Sequence, residues 1–263
     1  MEYLWKKENV PLFDEGIKEQ DIPSVTPYIF EGAKSCIVIC PGGGYTNKAF
    51  EHEGIEIAKW LNSIGISAFI LDYRVKPYKH PVPVIDGKRA IRYARYYASK
   101  YGYHKDKIGI LGFSAGGHLA GSVATFKGEF GYQAIDEIDN ESSRPDFMVL
   151  CYPVISFIKH AHVGSWINLV QSTDYQTAKE LSVDYNIDND TPPAFIWHTS
   201  GDAGVPVENS LNLALELSKN KIPFEIHTHK DGPHGVGLAK DYPYTAFWAK
   251  ECENWLKSMG YIL

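Results

Sequence analysis

Gly112-Phe113-Ser114-Ala115-Gly116 sets a serine between two glycines, where an apolar run meets a helical pattern. That setting suits a nucleophile. A serine held in a tight strand-to-helix turn projects its hydroxyl above the sheet edge, and the chain passes so close that residues two positions away must lack side chains. The same pattern alone also occurs as a plain Gly/Ser turn. A second cluster, Pro41-Gly42-Gly43-Gly44-Tyr45, directly follows the first apolar run, where acyl transfer needs N–H donors for a carbonyl oxygen gaining charge. Read otherwise, it is a flexible turn or a phosphate cradle. A nucleotide loop is disfavoured, because neither G-x-G-x-x-G nor the Lys-Ser/Thr ending of a P-loop is present. The expected oxyanion donors are the N–H groups of Gly43 and Gly44, joined by that of Ala115.

A serine hydroxyl is a weak nucleophile at neutral pH and needs a base, itself oriented by a carboxylate. Ten histidines are available. In sheets with chemistry above the strand ends, the order is Ser, then an acid on the loop after a late strand, then His on the loop after the last strand. His234, in Asp231-Gly232-Pro233-His234-Gly235, meets the second requirement, and Asp202, in Ser200-Gly201-Asp202-Ala203-Gly204, meets the first. His227 and His229 fall within a strand, His118 on the helix behind the nucleophile and His198 at a strand end, where packed or hydrogen-bonded roles are expected. Asp231 shares the tight loop of His234 and reads better as a turn residue. With these residues Ser114 would attack an ester carbonyl, His234 take the proton and Asp202 hold the imidazole, giving an acyl-enzyme that water releases.

The elements that must position them are β-branched runs alternating with helical patterns from about Ser35 onward, the form of a mostly parallel sheet covered by helices on both faces. Expected strands cover residues 36–40, 66–73, 107–113, 147–154, 195–199 and 224–229. Between them, Ile55, Ala58 and Leu61 mark one helix. Ile85, Ala90, Ile91 and Ala94 mark a second, with Lys88, Arg92 and Arg95 on its wet side. A helix over 115–125 follows Ser114, another over 207–219 carries Leu211 and Leu215 on one face, and the last has Trp248, Cys252, Trp255 and Leu256 in register. Residues 155–191 are too long and irregular for a simple connection and read as an excursion above the sheet. Their Phe157, His160, His162, Trp166, Tyr175 and Tyr185 suit either a cap over the nucleophile or a self-stabilised surface insertion. Glu51, His52 and Glu53 read as helix-start charges rather than ligands.

With 263 residues, 44% hydrophobic, the chain fits one α/β domain better than two small ones. A net charge of −6, with both signs mixed along the chain, provides no basic face for nucleic acid. Residues 1–10 lack a secretory apolar core and no stretch is long enough to span a bilayer, so a cytoplasmic protein without membrane contact is expected. The four cysteines, Cys36, Cys40, Cys151 and Cys252, form no CxxC or Cys/His cluster and read as buried reduced thiols, with no metal and no cofactor.

The combination of Asp21-Ile22-Pro23-Ser24, Pro41 to Tyr45, Leu71-Asp72-Tyr73-Arg74-Val75, His80-Pro81, Gly112 to Gly117, and Pro193 to His198 followed by Asp202 resembles the bacterial acetyl-xylan-esterase-like group of α/β-hydrolases, relatives of the hormone-sensitive-lipase esterases. The resemblance covers residues 21–263. It implies the α/β-hydrolase fold with a small cap insertion, a Ser114–His234–Asp202 triad, no metal, and a small-molecule ester substrate, an acetylated sugar or xylo-oligosaccharide. Pro41 stands where many of those esterases carry His before the glycines. Alternatives are another small-molecule acyl hydrolase, such as an arylformamidase or a peptidase-like amidase, and a non-enzymatic binding module that kept the fold. The oligomeric state is not encoded in any motif.

Overall fold

A computed structural model describes residues 1–13, 22–170, 172 and 174–262. Asp21, one of the residues carrying the resemblance, lies outside the described residues, as do residues 171 and 173 of the excursion. The apolar runs form one eight-stranded sheet: β1 (Glu2–Tyr3), β2 (Ser24–Tyr28), β3 (Cys36–Cys40), β4 (Ser67–Asp72), β5 (Ile108–Phe113), β6 (Phe147–Cys151), β7 (Ala194–Thr199) and β8 (Phe224–His229). Spatially they run β1-β2-β4-β3-β5-β6-β7-β8. The six strands from β3 to β8 are parallel, whereas β1 and β2 are antiparallel additions at one edge. These two were not expected. β2 contains Pro27 and β1 is two residues long, so neither has the continuous apolar run that marks a strand buried on both faces.

The chain leaves β3 for β4 on one side and later crosses to β5 on the other. The carboxyl ends of β3 and β5 therefore flank the point where the strand order reverses, where such sheets form their crevice. Cys40 is paired with Gly112, so the glycine loop after β3 and the serine turn after β5 emerge side by side.

Alternation along each strand feeds two separate cores. Ile37 and Ile39 join Ile57, Leu61, Trp248 and Leu256 on the face covered by α1 (Glu56–Ser63) and α8 (Trp248–Ser258). Cys36, Val38 and Cys40 join Ile91, Leu119 and Leu213 on the face covered by α2 (Val82–Tyr96), α4 (Ser114–Thr125) and α7 (Glu208–Lys219). A short α3 (Ala98–Tyr101) ends on Gly102, whose φ of +81° only glycine adopts readily. Trp197 of β7 stacks on Trp248 with centroids 4.8 Å apart.

Two side-chain expectations are corrected. Lys88, Arg92 and Arg95 do not face water: the irregular segment after α4 folds back over α2, and their heads bond Gly128 O, Glu141 O and Ser142 O, with Glu129 and Asp146 as ion partners. Sequence spacing cannot show a distant loop supplying carbonyls to a cation. Leu211 and Leu215 face outward, while Leu213 and Leu217, two positions along, are buried. Asn209 and Ser210 are buried too, Asn209 accepting the N–H of Ile155 in the neighbouring loop and Ser210 bonded to His198 of β7, so the inner face of α7 is turned away from Leu211.

Candidate active site

Ser114 follows β5 directly and has φ +52°, a left-handed conformation that a β-carbon disfavours. Its neighbours explain how the turn is held. A β-carbon on Gly112 would lie 2.1 Å from Gly116 O, and one on Gly116 would lie 2.1 Å from Cys40 O. Ser114 Oγ is 2.7 Å from His234 Nε2, and His234 Nδ1 is 2.7 Å from Asp202 Oδ2. The three side chains expected from chain order thus meet above the sheet, although 120 positions separate Ser114 from His234. Because the carboxylate can only accept, Nδ1 carries a proton, leaving Nε2 free to accept from the serine hydroxyl.

Asp202 sits in the turn after β7. Its Oδ1 accepts the N–H groups of Gly204 at 2.8 Å and Val205 at 2.9 Å, while Oδ2 faces His234 and also lies 3.3 Å from His198 Nε2. Burial opposes its ionisation, but hydrogen bonds from His198, His234 and Val205 outweigh that and hold the carboxyl well below the usual range. His198 is fully buried and bonds Ser210 Oγ and Val205 O, so it braces the Asp202 carboxylate.

Around the glycine cluster, Gly43, Gly44 and Tyr45 all have positive φ, at +139°, +62° and +61°. Among the described residues the N–H groups of Gly43 and Gly44 meet no protein acceptor. Ala115 N–H lies in the first turn of α4, where amides have no partner within the helix. Tyr45 is buried and its hydroxyl lies 2.8 Å from His118 Nδ1, while His118 Nε2 lies 2.7 Å from Leu181 O. Burial pushes His118 down to about 4, so it stays a neutral anchor. Tyr73 Oη donates to Pro41 O at 2.6 Å, fixing the loop's start from beneath.

Residues 155–191 carry α5 (Val163–Val170) and α6 (Tyr175–Glu180). Asn168 of α5 donates to Gly44 O at 2.9 Å, which joins this segment to the glycine loop. Burial, and then His234, hold His162 below the ordinary imidazole range while Asp202 opposes, so this residue lies within electrostatic reach of both. Phe157 packs on His118 and Trp166, whereas Tyr175 and Tyr185 are exposed at 63% and 39% and His160 is exposed. Of the six aromatic and histidine candidates, only His162 is tied electrostatically to His234.

Glu53 is a further correction. It is not a solvated helix-start charge: it is 2% exposed within the π-helical turn Glu51–Ile55, accepting from Gly42 N–H and from Tyr152 Oη, both at 2.7 Å. A cavity of about 450 Å³ opens beside His234, walled by His52, Glu56, Pro233, Lys240 and Tyr242. Among the described residues no group of three or more His, Cys, Asp or Glu side chains converges as a metal site would need, and no helix is long and apolar enough to cross a membrane.

Residues 25–217 match the BD-FAE family model. Over 229 residues the chain is 36% identical to the endo-1,4-beta-xylanase B of Butyrivibrio fibrisolvens, covering 84% of this chain and 35% of that protein. It is 32% identical to the acetylxylan esterase of Xylanibacter ruminicola over 230 residues, covering 85% of this chain and 45% of that one. The chain therefore spans less than half the length of either relative. Among solved structures, an acetyl ester-xyloside bifunctional hydrolase from Caldicellulosiruptor lactoaceticus superposes with a TM-score of 0.94 at 47% identity, covering 100% of this chain and 97% of that one.

Proposed function

Because this chain belongs to the BD-FAE family of α/β-hydrolase esterases, we propose that it is a serine esterase that removes short acyl groups, above all acetyl groups from decorated xylo-oligosaccharides. The supporting observation is the pair of 2.7 Å contacts that run from Ser114 through His234 to Asp202. On this reading Ser114 Oγ attacks the ester carbonyl as His234 Nε2 takes its proton, and Asp202 stabilises the imidazolium. The N–H groups of Gly43, Gly44 and Ala115 meet the oxyanion, each worth roughly a hundred- to thousandfold in rate in comparable sites. His234 then protonates the departing sugar oxygen, and water repeats the sequence to release acetate. The names of the acetylxylan esterase and of the acetyl ester-xyloside hydrolase favour acetylated xylose units over other esters.

Residues 155–191 form the cap on this reading, with His162 and Asn168 on the side of the substrate. The four unpaired, buried thiols favour a reducing compartment, and hence the cytoplasm. The test is direct. Acetate release from acetylated xylo-oligosaccharides and labelling by a fluorophosphonate should both occur with the wild type and both vanish in Ser114→Ala. No hydrolysis of these substrates or of short p-nitrophenyl esters by folded protein would refute the reading, and a preference for aryl formamides would redirect it.

A further inference from the structure

Glu53 is a buried carboxylate that the acyl-transfer scheme does not use. Its two oxygens reach opposite walls of the site. Oε2 accepts the N–H of Gly42, the first glycine of the loop proposed to hold the oxyanion, at 2.7 Å. Oε1 accepts from Tyr152 Oη at 2.7 Å, and Tyr152 Oη in turn accepts the N–H of Gly237 at 2.9 Å, three residues beyond His234. Gly237 can only donate to that oxygen, so the single phenolic proton points to Glu53. Both partners of Glu53 are then donors: burial raises its carboxyl above the usual range, but the hydrogen bonds from Tyr152 and Gly42 oppose that and favour the carboxylate, and a carboxamide could not accept at both positions.

The rest of the connection is equally constrained. Tyr152 lies just past β6 with φ +36°, a conformation a bulky side chain seldom adopts, and its ring meets the His234 ring edge-on with centroids 5.1 Å apart. A β-carbon on Gly42 would lie 2.7 Å from Glu53 Oε2 and 3.0 Å from Ser114 Cβ, so Gly42 is wedged between Glu53 and the serine turn. A β-carbon on Gly237 would lie 2.7 Å from His52 O, which presses the loop of the base against the π-helical turn that carries Glu53. Such irregular turns inside helices are frequent at functional sites.

We propose that Glu53 is a positioning residue: through Gly42 on one side and Tyr152 and Gly237 on the other, its carboxylate holds the oxyanion loop and the loop of His234 in one fixed relation. This rests on the esterase reading of Ser114 and His234. The oxyanion donors and the base then keep a common distance from the reacting carbon throughout the cycle. The other titratable groups around His234 are Asp202, with His198 behind it, His162 just before α5 and Tyr152, together with His52, Glu56, Lys240, Asp241 and Tyr242 around the adjoining cavity. Those facing Glu53 are His52 at 3.9 Å, Tyr152, Tyr73 and Cys151.

The experiment compares wild type, Glu53→Gln and Tyr152→Phe with p-nitrophenyl acetate across pH, each rate expressed per Ser114 titrated by fluorophosphonate. Glutamine offers an amide N–H to one of two donors, so kcat per titrated site should fall on the order of 10- to 100-fold with KM nearly unchanged. Tyr152→Phe, which cuts only the side leading to His234, should lower kcat per titrated site in the same way and serves as the deciding variant if Glu53→Gln does not fold. A merely structural role would reduce the titratable fraction and the melting temperature while leaving kcat per titrated site in place, and that result overturns the inference. A wild type that neither labels nor hydrolyses indicts the esterase reading instead.

Discussion

Replacing Asp202 by asparagine tests the site at the point where geometry leaves the side chain least choice. Oδ1 is met by two backbone donors, Gly204 and Val205, so an asparagine must put its carbonyl oxygen there. Its amide N–H2 then occupies the Oδ2 position and points at His234 Nδ1, 2.7 Å away. Two donors cannot share that distance, so the imidazole adopts the tautomer with its proton on Nε2, and Ser114 loses its acceptor. Removal of the equivalent proton-orienting carboxylate in other serine hydrolases costs roughly ten-thousandfold in kcat, or roughly 5 kcal/mol of barrier. We expect a loss of that order for Asp202→Asn with p-nitrophenyl acetate at pH 7.5, with fluorophosphonate labelling slowed in parallel and the fold retained. A folded variant within tenfold of wild type would mean that the tautomer is not set by Asp202, and the reasoning from Oδ1 fails.

Gly112→Ala places a β-carbon 2.1 Å from Gly116 O, a clash with backbone rather than with a flexible side chain, so soluble yield should collapse while Ser114→Ala expresses normally; equal yields would refute the packing argument. Arg74 and Asp86 form a fully buried pair with N–O contacts of 2.6 and 3.0 Å, and burial raises the Asp86 carboxyl against the pull of Arg74. Asp86→Ala leaves the guanidinium unpaired and should cost about 3–5 kcal/mol, a fall in Tm of roughly 6–20 °C by calorimetry. His118, neutral in the fold down to about 4, protonates near its usual value when unfolded, so the unfolded chain binds more protons between these limits and stability falls as pH drops through that window. Urea titrations from pH 7 to 4.5 should show a slope reduced by up to about 1.4 kcal/mol per pH unit in His118→Gln; parallel curves for the two proteins would contradict this.

That Ser114, Asp202 and His234 would meet was legible because each stands at a strand end. Ser114 needs glycines at 112 and 116, and chain order narrows ten histidines to His234. The parallel core was legible for a related reason: strands buried on both faces must be apolar at every position, as Cys36–Cys40 is. What stayed hidden depends on distant partners. Whether Glu51 or Glu53 turns inward is set by the phase of a π-helical turn, which no apolar spacing announces. The inward heads of Arg92 and Arg95 depend on carbonyls some fifty positions away. Asn168 gives no motif at all, since its only signal is a single bond to Gly44 O.

The two margins of the sheet are unlike, and each discourages strand addition. On one side β1 offers only two residues, too few to template a foreign strand. On the other, β8 is a full six residues, but Glu225, His227 and His229 stud it, and both histidines lie within 3.2 Å of Glu251 on α8. A chain bearing so large a parallel core thereby carries its own guard against polymerising edge to edge, placed where it does not touch the serine.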